Sequence, residues 1–222
     1  MEWETADSII CGSEFVRDGI RASGGPVERC CVVPYGVRPT GVAPRRSFDR
    51  GPLRVLTVGA VGLRKGAPYV LAAARTLKGR AEFRIAGQIG VTGYARALLS
   101  QYVTLAGVVP RSEIQSHYEW ADVFLLPSVC EGSATVCYEA LAAGLPVITT
   151  PNAGSVVRDR IDGFVVPVRS SEAIVEKLER LASDRELLAF MSKNARERSA
   201  EYTVEKYGER LLSVLTPVAV VQ

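Results

Sequence analysis

The chain has 222 residues, 47% of them hydrophobic and 23% charged, with 27 Lys and Arg against 24 Asp and Glu for a net charge of +3. That composition excludes a disordered chain, and the charge is too small and too evenly spread to indicate nucleic acid as a partner. No run approaches the ~18 uncharged apolar residues of a membrane helix. The acidic opening MEWETADSII shows no basic-then-apolar leader, and the cysteines, read as reduced thiols, give a cytoplasmic setting as the expectation, with at most peripheral membrane association of a longer protein.

In chain order, SIICGS (8–13) reads as a strand, SEFVRDGIRASG as a capped helix, and CCVVPYG as a short strand and turn. The stretch RPTGVAPRRSFDRGP that follows has the Pro, Gly and Arg content of a linker. LRVLTV (53–58) is a buried strand, followed by a Gly-rich turn and a helix through PYVLAAARTL. EFRIAG (82–87), a short helix near GYARALLSQ, and YVTLAG (102–107) come next. SEIQSHYEWA (112–121) is a helix for which Ser112 is the expected N-cap. DVFLLPS (122–128) is a strand ended by Pro127, ATVCYEALAAG (134–144) a helix stopped by Gly144, and PVITT (146–150) and FVVPV (164–168) are the last strands. From Ser170 the pattern is helical almost to the end, with breaks near Asp184 and Thr203. This alternation implies an α/β fold with a doubly wound, mostly parallel Rossmann-like sheet of about six strands. Ligands on such sheets bind beyond the C-terminal ends of the strands. The expected division is 1–50 as the end of a preceding domain plus linker, 51–200 as the Rossmann-like domain, and 201–222 as a final helix and tail. In that reading the strand at 8–13 has no parallel neighbour of its own.

The chemistry therefore belongs in the post-strand loops. Five cysteines stand at 11, 30, 31, 130 and 137 without a Cys-x-x-Cys pair, and their apolar surroundings read as buried reduced thiols. The single histidine, His117, has no carboxylate or cysteine cluster at ligand spacing and reads as a surface or half-buried residue. No metal site is expected. The loop GAVGLRKG (59–66) offers Gly59, Gly62 and Gly66 for tight turns, and Arg64 and Lys65 as cations suited to a diphosphate. Its spacing fits neither the dinucleotide fingerprint nor a Walker loop, and a solvated basic turn would look the same. In Pro127–Thr135, Glu131 and Gly132 stand just before a helix, where the N–H groups of Gly132, Ser133 and Ala134 are expected to be free for an anion or a hydroxyl. Glu139 follows eight residues later, at the margin of the buried stripe Val136, Ala140, Ala143. Two such carboxylates can accept hydrogen bonds from sugar hydroxyls, or can be a helix-start charge and a solvated helix residue.

Pro-Ser-x-x-Glu-Gly at a strand end, followed by Glu139-Ala-Leu-Ala-Ala-Gly-Leu-Pro-Val, resembles the Glu-x7-Glu motif of retaining glycosyltransferases of family 4. The similarity extends to residues 13–18, 33–37, Lys65-Gly66, Ala121-Asp122 and Asp162 to Pro167. The resemblance implies the donor-binding C-terminal half of a GT-B fold, working without a cofactor on a nucleotide-sugar donor linked to UDP or GDP. It implies catalytic roles for Glu131 and Lys65. It implies that Glu139 holds the ribose, and that Glu131 with the amides of Gly132, Ser133, Ala134 and Thr135 holds the sugar and distal phosphate. Lys65, with Arg64 and Gly62 in its loop, is implied to meet the diphosphate, the loop at Val108 the base, and the loop at Gly154 the phosphates. Ala60 stands where the family often has an arginine, with Arg64 as the nearby substitute, and Ser133-Ala134 replaces an aromatic-Gly pair. Transfer of a hexose-type sugar with retention is implied, with the leaving phosphate taking the acceptor proton. The resemblance starts near the end of the family's N-terminal domain. The chain alone is thus expected to bind a nucleoside diphosphate, to transfer no sugar without that partner domain, and to form homodimers through exposed apolar surface. The other readings are a non-catalytic nucleotide-sugar binding module, a nucleotide-sugar epimerase of the same fold, and a nicotinamide dehydrogenase. A single histidine disfavours the epimerase and the absent G-x-G-x-x-G the dehydrogenase.

Overall fold

The computed structural model describes residues 2–38 and 51–215; most of the expected linker and the last seven residues lie outside the described residues. An N-terminal unit runs through α1 (Glu2–Thr5), β1 (Ile9–Cys11), α2 (Glu14–Ala22) and β2 (Cys30–Val32). The strand expected to stand alone has a partner: β1 pairs parallel with β2, Ile9 opposite Cys30 and Cys11 opposite Val32. The reason is that α2, capped by Ser13 accepting from the Val16 N–H, returns the chain in a βαβ crossover.

The main body alternates β3 (Leu53–Val58), α3 (Ala67–Thr76), β4 (Ala81–Ala86), α4 (Gly93–Ser100), β5 (Val103–Gly107), α5 (Ile114–Trp120), β6 (Val123–Leu126), α6 (Thr135–Ala142), β7 (Val147–Thr149) and β8 (Gly163–Val165). Helices α7 (Ser171–Ser183), α8 (Arg185–Ser199) and α9 (Val204–Leu215) close it. The six strands are all parallel in the order β5-β4-β3-β6-β7-β8. Strand order reverses between β3 and β6, so a crevice opens beyond the C-terminal ends of those two strands.

The central strands read as apolar runs because both faces are covered. Leu53 and Val55 face a core built with Val70 and Ala73 of α3 and Leu178 and Leu181 of α7. Leu56 and Val58 face the other, with Tyr118 of α5 and Cys137, Ala140 and Leu141 of α6. Two acids of the sequence motifs are structural. Asp122, 4% exposed, takes the Arg54 guanidinium at 2.8 and 3.1 Å and its N–H at 2.9 Å, tying the starts of β3 and β6. Asp162, fully buried, accepts from the Arg158 N–H and Nε at 2.8 and 2.6 Å and shapes the turn into β8.

Ser112 does not cap α5. Glu113 precedes the helix with no side-chain cap, and the N–H groups of Glu113 and Ile114 instead donate to the Pro110 carbonyl. Asp184 ends α7 and caps α8, accepting from the Leu187 N–H at 2.8 Å. The C-terminal stripe Val204, Tyr207, Leu211, Leu215 contains no buried residue. Of the stripe, Tyr207 meets Tyr35 edge-on, and beside it Val37 N–H donates to the Tyr202 carbonyl at 2.9 Å and Arg210 reaches the Pro34 carbonyl at 3.0 Å, so the segment after β2 packs on the C-terminal segment. Among the described residues no helix is long and apolar enough to cross a membrane.

Candidate active site

Two loops meet at the strand-order reversal. Gly66 precedes α3 with φ of +78°, and a Cβ there would strike the Pro127 carbonyl oxygen, so only glycine lets the loop after β3 lie against the loop after β6. Val129 N–H donates to the Arg64 carbonyl at 2.8 Å across the same seam. The result is a charged cluster: Glu131 Oε1 lies 2.9 Å from Arg64 Nη1 and 3.0 Å from Lys65 Nζ. The Glu131 and Lys65 side chains are 11% and 15% exposed, whereas Arg64 is 60% exposed. Lys65 runs along Gly59, whose φ is +130° and where any Cβ would come within 2.9 Å of its Nζ. Gly62 borders open space.

Beside Gly59 opens a cleft of about 420 Å³ lined by the ends of β3 and β4, by Val108 and Val109 after β5, and by Gln88, Arg111, Ile114 and Glu139. Glu139 enters it from α6, with Oε2 accepting from the Tyr118 hydroxyl at 2.8 Å. Tyr118 is 2% exposed, and burial, then the Glu139 charge, pushes its phenol well above its ordinary range. It therefore acts as a permanent donor that aims Glu139. Volume alone does not single out this cleft. Another of about 400 Å³, at the opposite ends of β4 and β5, is lined by Lys78, Arg84, Tyr102 and Trp120. What distinguishes the first is its place at the C-terminal strand ends, beside Gly59 and the Lys65 side chain that runs along it, with Glu139 entering from α6.

The loop from Cys130 into α6 differs from expectation in one atom. Ala134 N–H is not free: it donates to the Ala153 carbonyl at 3.0 Å. Sequence spacing missed this because the acceptor comes from the turn after β7. The N–H groups of Gly132, Ser133 and Thr135 have no partner among the described residues. Gly154, left-handed at φ of +59°, lies behind this loop rather than in the 420 Å³ cleft, and a Cβ there would strike the Gly132 carbonyl and the Ser13 hydroxyl. It lines a groove of about 360 Å³ with Ser13, Tyr138 and Arg198. Val108 is 77% exposed on the cleft rim.

The thiols divide. Cys11 and Cys137 are buried, Cys30 and Cys31 half-buried, and Cys130 is exposed, contrary to the reading of all five as buried; all are free. Cys130 sits in a loop that turns its side chain outward. Burial pushes the Cys137 thiol up to about 12, partly offset by a hydrogen bond with Thr149 and by the Lys65 charge. His117 is half-buried, its Nδ1 without a hydrogen-bond partner among the described residues. Tyr118 had no functional signal in the sequence, and the contacts of two residues inside the family-like segments had none either: Ser13, whose hydroxyl donates to the Gly132 carbonyl, and Asn152, whose Nδ2 donates to the Val129 carbonyl at 2.8 Å. Each acts on a residue far away in the chain.

Residues 44–198 match the family glycosyl transferases group 1. Among curated proteins the chain is 31% identical over 210 residues to WcaL of Escherichia coli (strain K12), whose name gives it a glycosyltransferase role in colanic acid biosynthesis; the match covers 86% of this chain and 52% of WcaL. It is also 31% identical over 178 residues to the amylovoran biosynthesis glycosyltransferase AmsK of Erwinia amylovora, covering 72% of this chain and 44% of AmsK. The chain thus spans about half the length of the curated relatives it matches. Among solved structures, Anabaena HepE in complex with UDP and glucose superimposes with a TM-score of 0.82 at 16% identity, covering 97% of this chain and 64% of HepE. The six-stranded parallel sheet flanked by helices matches GT-B glycosyltransferases in fold.

Proposed function

Because the chain belongs to the glycosyl transferases group 1 family, we propose that it carries the nucleotide-sugar donor site of a retaining, family 4-type glycosyltransferase. The observation that carries this reading is the pairing at the strand-order reversal. An ion-paired Glu131 with Lys65 and Arg64 stands on one side, and a carboxylate aimed into a cleft, Glu139, on the other.

Glu139 holds the ribose. One of its oxygens is occupied by Tyr118, which leaves acceptor capacity for hydroxyls. The base lies toward Val108 and Val109, over the ends of β4 and β5. The diphosphate lies by Lys65. The cluster of Arg64, Lys65 and Glu131 sums to one positive charge, and an arriving diphosphate competes with Glu131 for the Lys65 ammonium. That competition releases the Glu131 carboxylate to accept hydrogen bonds from the sugar. As the bond from the anomeric carbon to the phosphate oxygen breaks, negative charge builds on the leaving diphosphate, where a fixed cation is most effective. The acceptor hydroxyl then attacks from the same face, its proton passing to the leaving phosphate oxygen, so configuration is retained. Lys65 and Arg64 supply the positive charge, and the site works without a metal. Ala60 leaves the usual arginine position empty, and Arg64 fills the electrostatic role from the outer side of Glu131.

Thermal unfolding with UDP, GDP and ADP in EDTA tests this reading. A ligand at 100 times its Kd adds about 2.7 kcal/mol of stability. One of UDP and GDP is expected to raise the Tm by several degrees in the chelator. No shift with any nucleotide, or a shift that appears only with added manganese, would contradict the proposal.

A further inference from the structure

Resting on that donor-site reading, we infer that Ser13, in the N-terminal unit 119 residues before Gly132, is a positioning residue that sets the direction of the Ser133 N–H toward the donor diphosphate. In a trans peptide the C=O and the following N–H lie in one plane and point in opposite directions. The Ser13 hydroxyl donates to the Gly132 carbonyl. Fixing that carbonyl toward α2 fixes the Ser133 N–H in the opposite direction, away from α2.

Other atoms tie down the rest of the loop, and among the described residues Ser13 is the donor that meets the Gly132 carbonyl. Glu131 N–H donates to the Asn152 carbonyl at 2.8 Å, and Ala134 N–H donates to the Ala153 carbonyl at 3.0 Å. The Ser133 hydroxyl lies 3.2 Å from both the Gly154 carbonyl and the Tyr138 hydroxyl. Between those anchors, the Ser133 N–H has no partner among the described residues. The approach of Ser13 also requires glycine at 154, since a Cβ there would strike both the Ser13 hydroxyl and the Gly132 carbonyl. Ser13 is 6% exposed, and its hydroxyl accepts from the Val16 N–H while donating to Gly132. A single side chain therefore caps α2 and orients a peptide in the loop that carries Glu131. The N-terminal unit is in this way part of the donor site without touching the donor.

Ser13→Gly removes the hydroxyl while keeping most of the helix-capping preference, because glycine is a tolerated N-cap. The readout is the affinity ratio within the matched pairs UDP/UMP and GDP/GMP, measured by calorimetry on the whole chain. An N–H aimed at the diphosphate contributes to the diphosphate only. The variant is expected to lose about tenfold of the preference for diphosphate over monophosphate, the scale of one hydrogen bond to a charged group. An unchanged ratio, or equal weakening of both nucleotides, would overturn the role of Ser13 while leaving the donor-site reading intact. A wild-type chain that binds none of the four nucleotides would overturn the donor-site reading, and this inference with it. A measurement on the wild type covers the case of a variant that does not fold. In amide NMR, UDP or GDP should shift the Ser133 N–H strongly and the Ala134 N–H, already engaged by Ala153, much less. Binding of a diphosphate that leaves the Ser133 amide unmoved would contradict the proposal.

Discussion

Glu131 and Glu139 are the same residue type, eight positions apart, in two regions of opposite character. Glu131 sits in a loop before a helix, nearly buried, its charge met by Lys65 and Arg64. Glu139 sits inside α6 with no cation partner among the described residues, held by the neutral phenol of Tyr118. The first is a charge already compensated, which a ligand must displace. The second is a charge aimed into a cleft, which a ligand can meet without breaking an ion pair. In the proposed donor site, that difference suits the loop region to phosphate and sugar chemistry and the helix region to hydroxyl binding.

Removing the cation should have the largest effect. Lys65→Ala leaves Glu131 with only an exposed arginine and, in the proposed site, removes the cation that meets the diphosphate. A loss of about 3 kcal/mol in nucleoside diphosphate binding is expected, within the range for truncating one partner of a buried charge pair. Retained binding would show that the loop region is not the phosphate region. Next in size, Glu139→Ala should weaken nucleoside diphosphate and nucleotide sugar alike, by about 2–3 kcal/mol. It should also lower the Tm without ligand, because the Tyr118 hydroxyl, 2% exposed as a residue, loses this acceptor. Calorimetry with and without the sugar reads the first effect and thermal unfolding the second.

Glu131→Gln sharpens the contrast with a smaller effect of mixed sign. Neutralising Glu131 frees Lys65, so plain nucleoside diphosphate should bind as well as before or tighter. The sugar-bearing donor should weaken by about 1 kcal/mol, the scale of one hydrogen bond. Parallel losses for both ligands would erase the division between the two glutamates.

The smallest effect lies outside both regions. Burial, then the Arg84 charge, lowers the His117 pKa below its ordinary 6.5, with Glu113 opposing. The unfolded chain then binds the proton more readily, so stability rises with pH across that interval. The contribution is whole above about 6.5 and declines as pH falls through the lowered value. His117→Gln should flatten the dependence of Tm on pH between 7 and about 5. An identical slope in the variant would assign the acid sensitivity to other groups.

How much of this was legible in the sequence depends on distance along the chain. The strands from Leu53 to Val165 were readable at their starts to within a residue because the central ones are apolar runs bounded by Gly, Pro or Asp, while the readings at 122–128 and 164–168 ran two and three residues past the ends of β6 and β8. The six-stranded parallel sheet followed from their alternation with helices. The partner of β1 was missed, although CCVVP was itself read as a strand, because pairing across α2 is not encoded by either strand alone. Ser112 was misread as a cap because a backbone turn onto Pro110 competes with it and wins. Glu131, Lys65 and Glu139 stood out by spacing and by family resemblance. Their partners did not: Tyr118 aims Glu139 from the preceding helix, Ala153 takes the Ala134 N–H, and Ser13 grips Gly132 from the first strand's end. Each of those contacts exists only once the loops are brought together by the sheet.

The most direct test of the donor site is a crystal structure of the chain with whichever of UDP or GDP raises its Tm. The ribose hydroxyls are expected on the Glu139 carboxylate, the diphosphate against Lys65 and the Ser133 N–H, and the base over the Val108–Val109 rim. A nucleotide bound elsewhere, such as the groove lined by Ser13, Tyr138 and Arg198 or the cleft at Arg84 and Trp120, would contradict it.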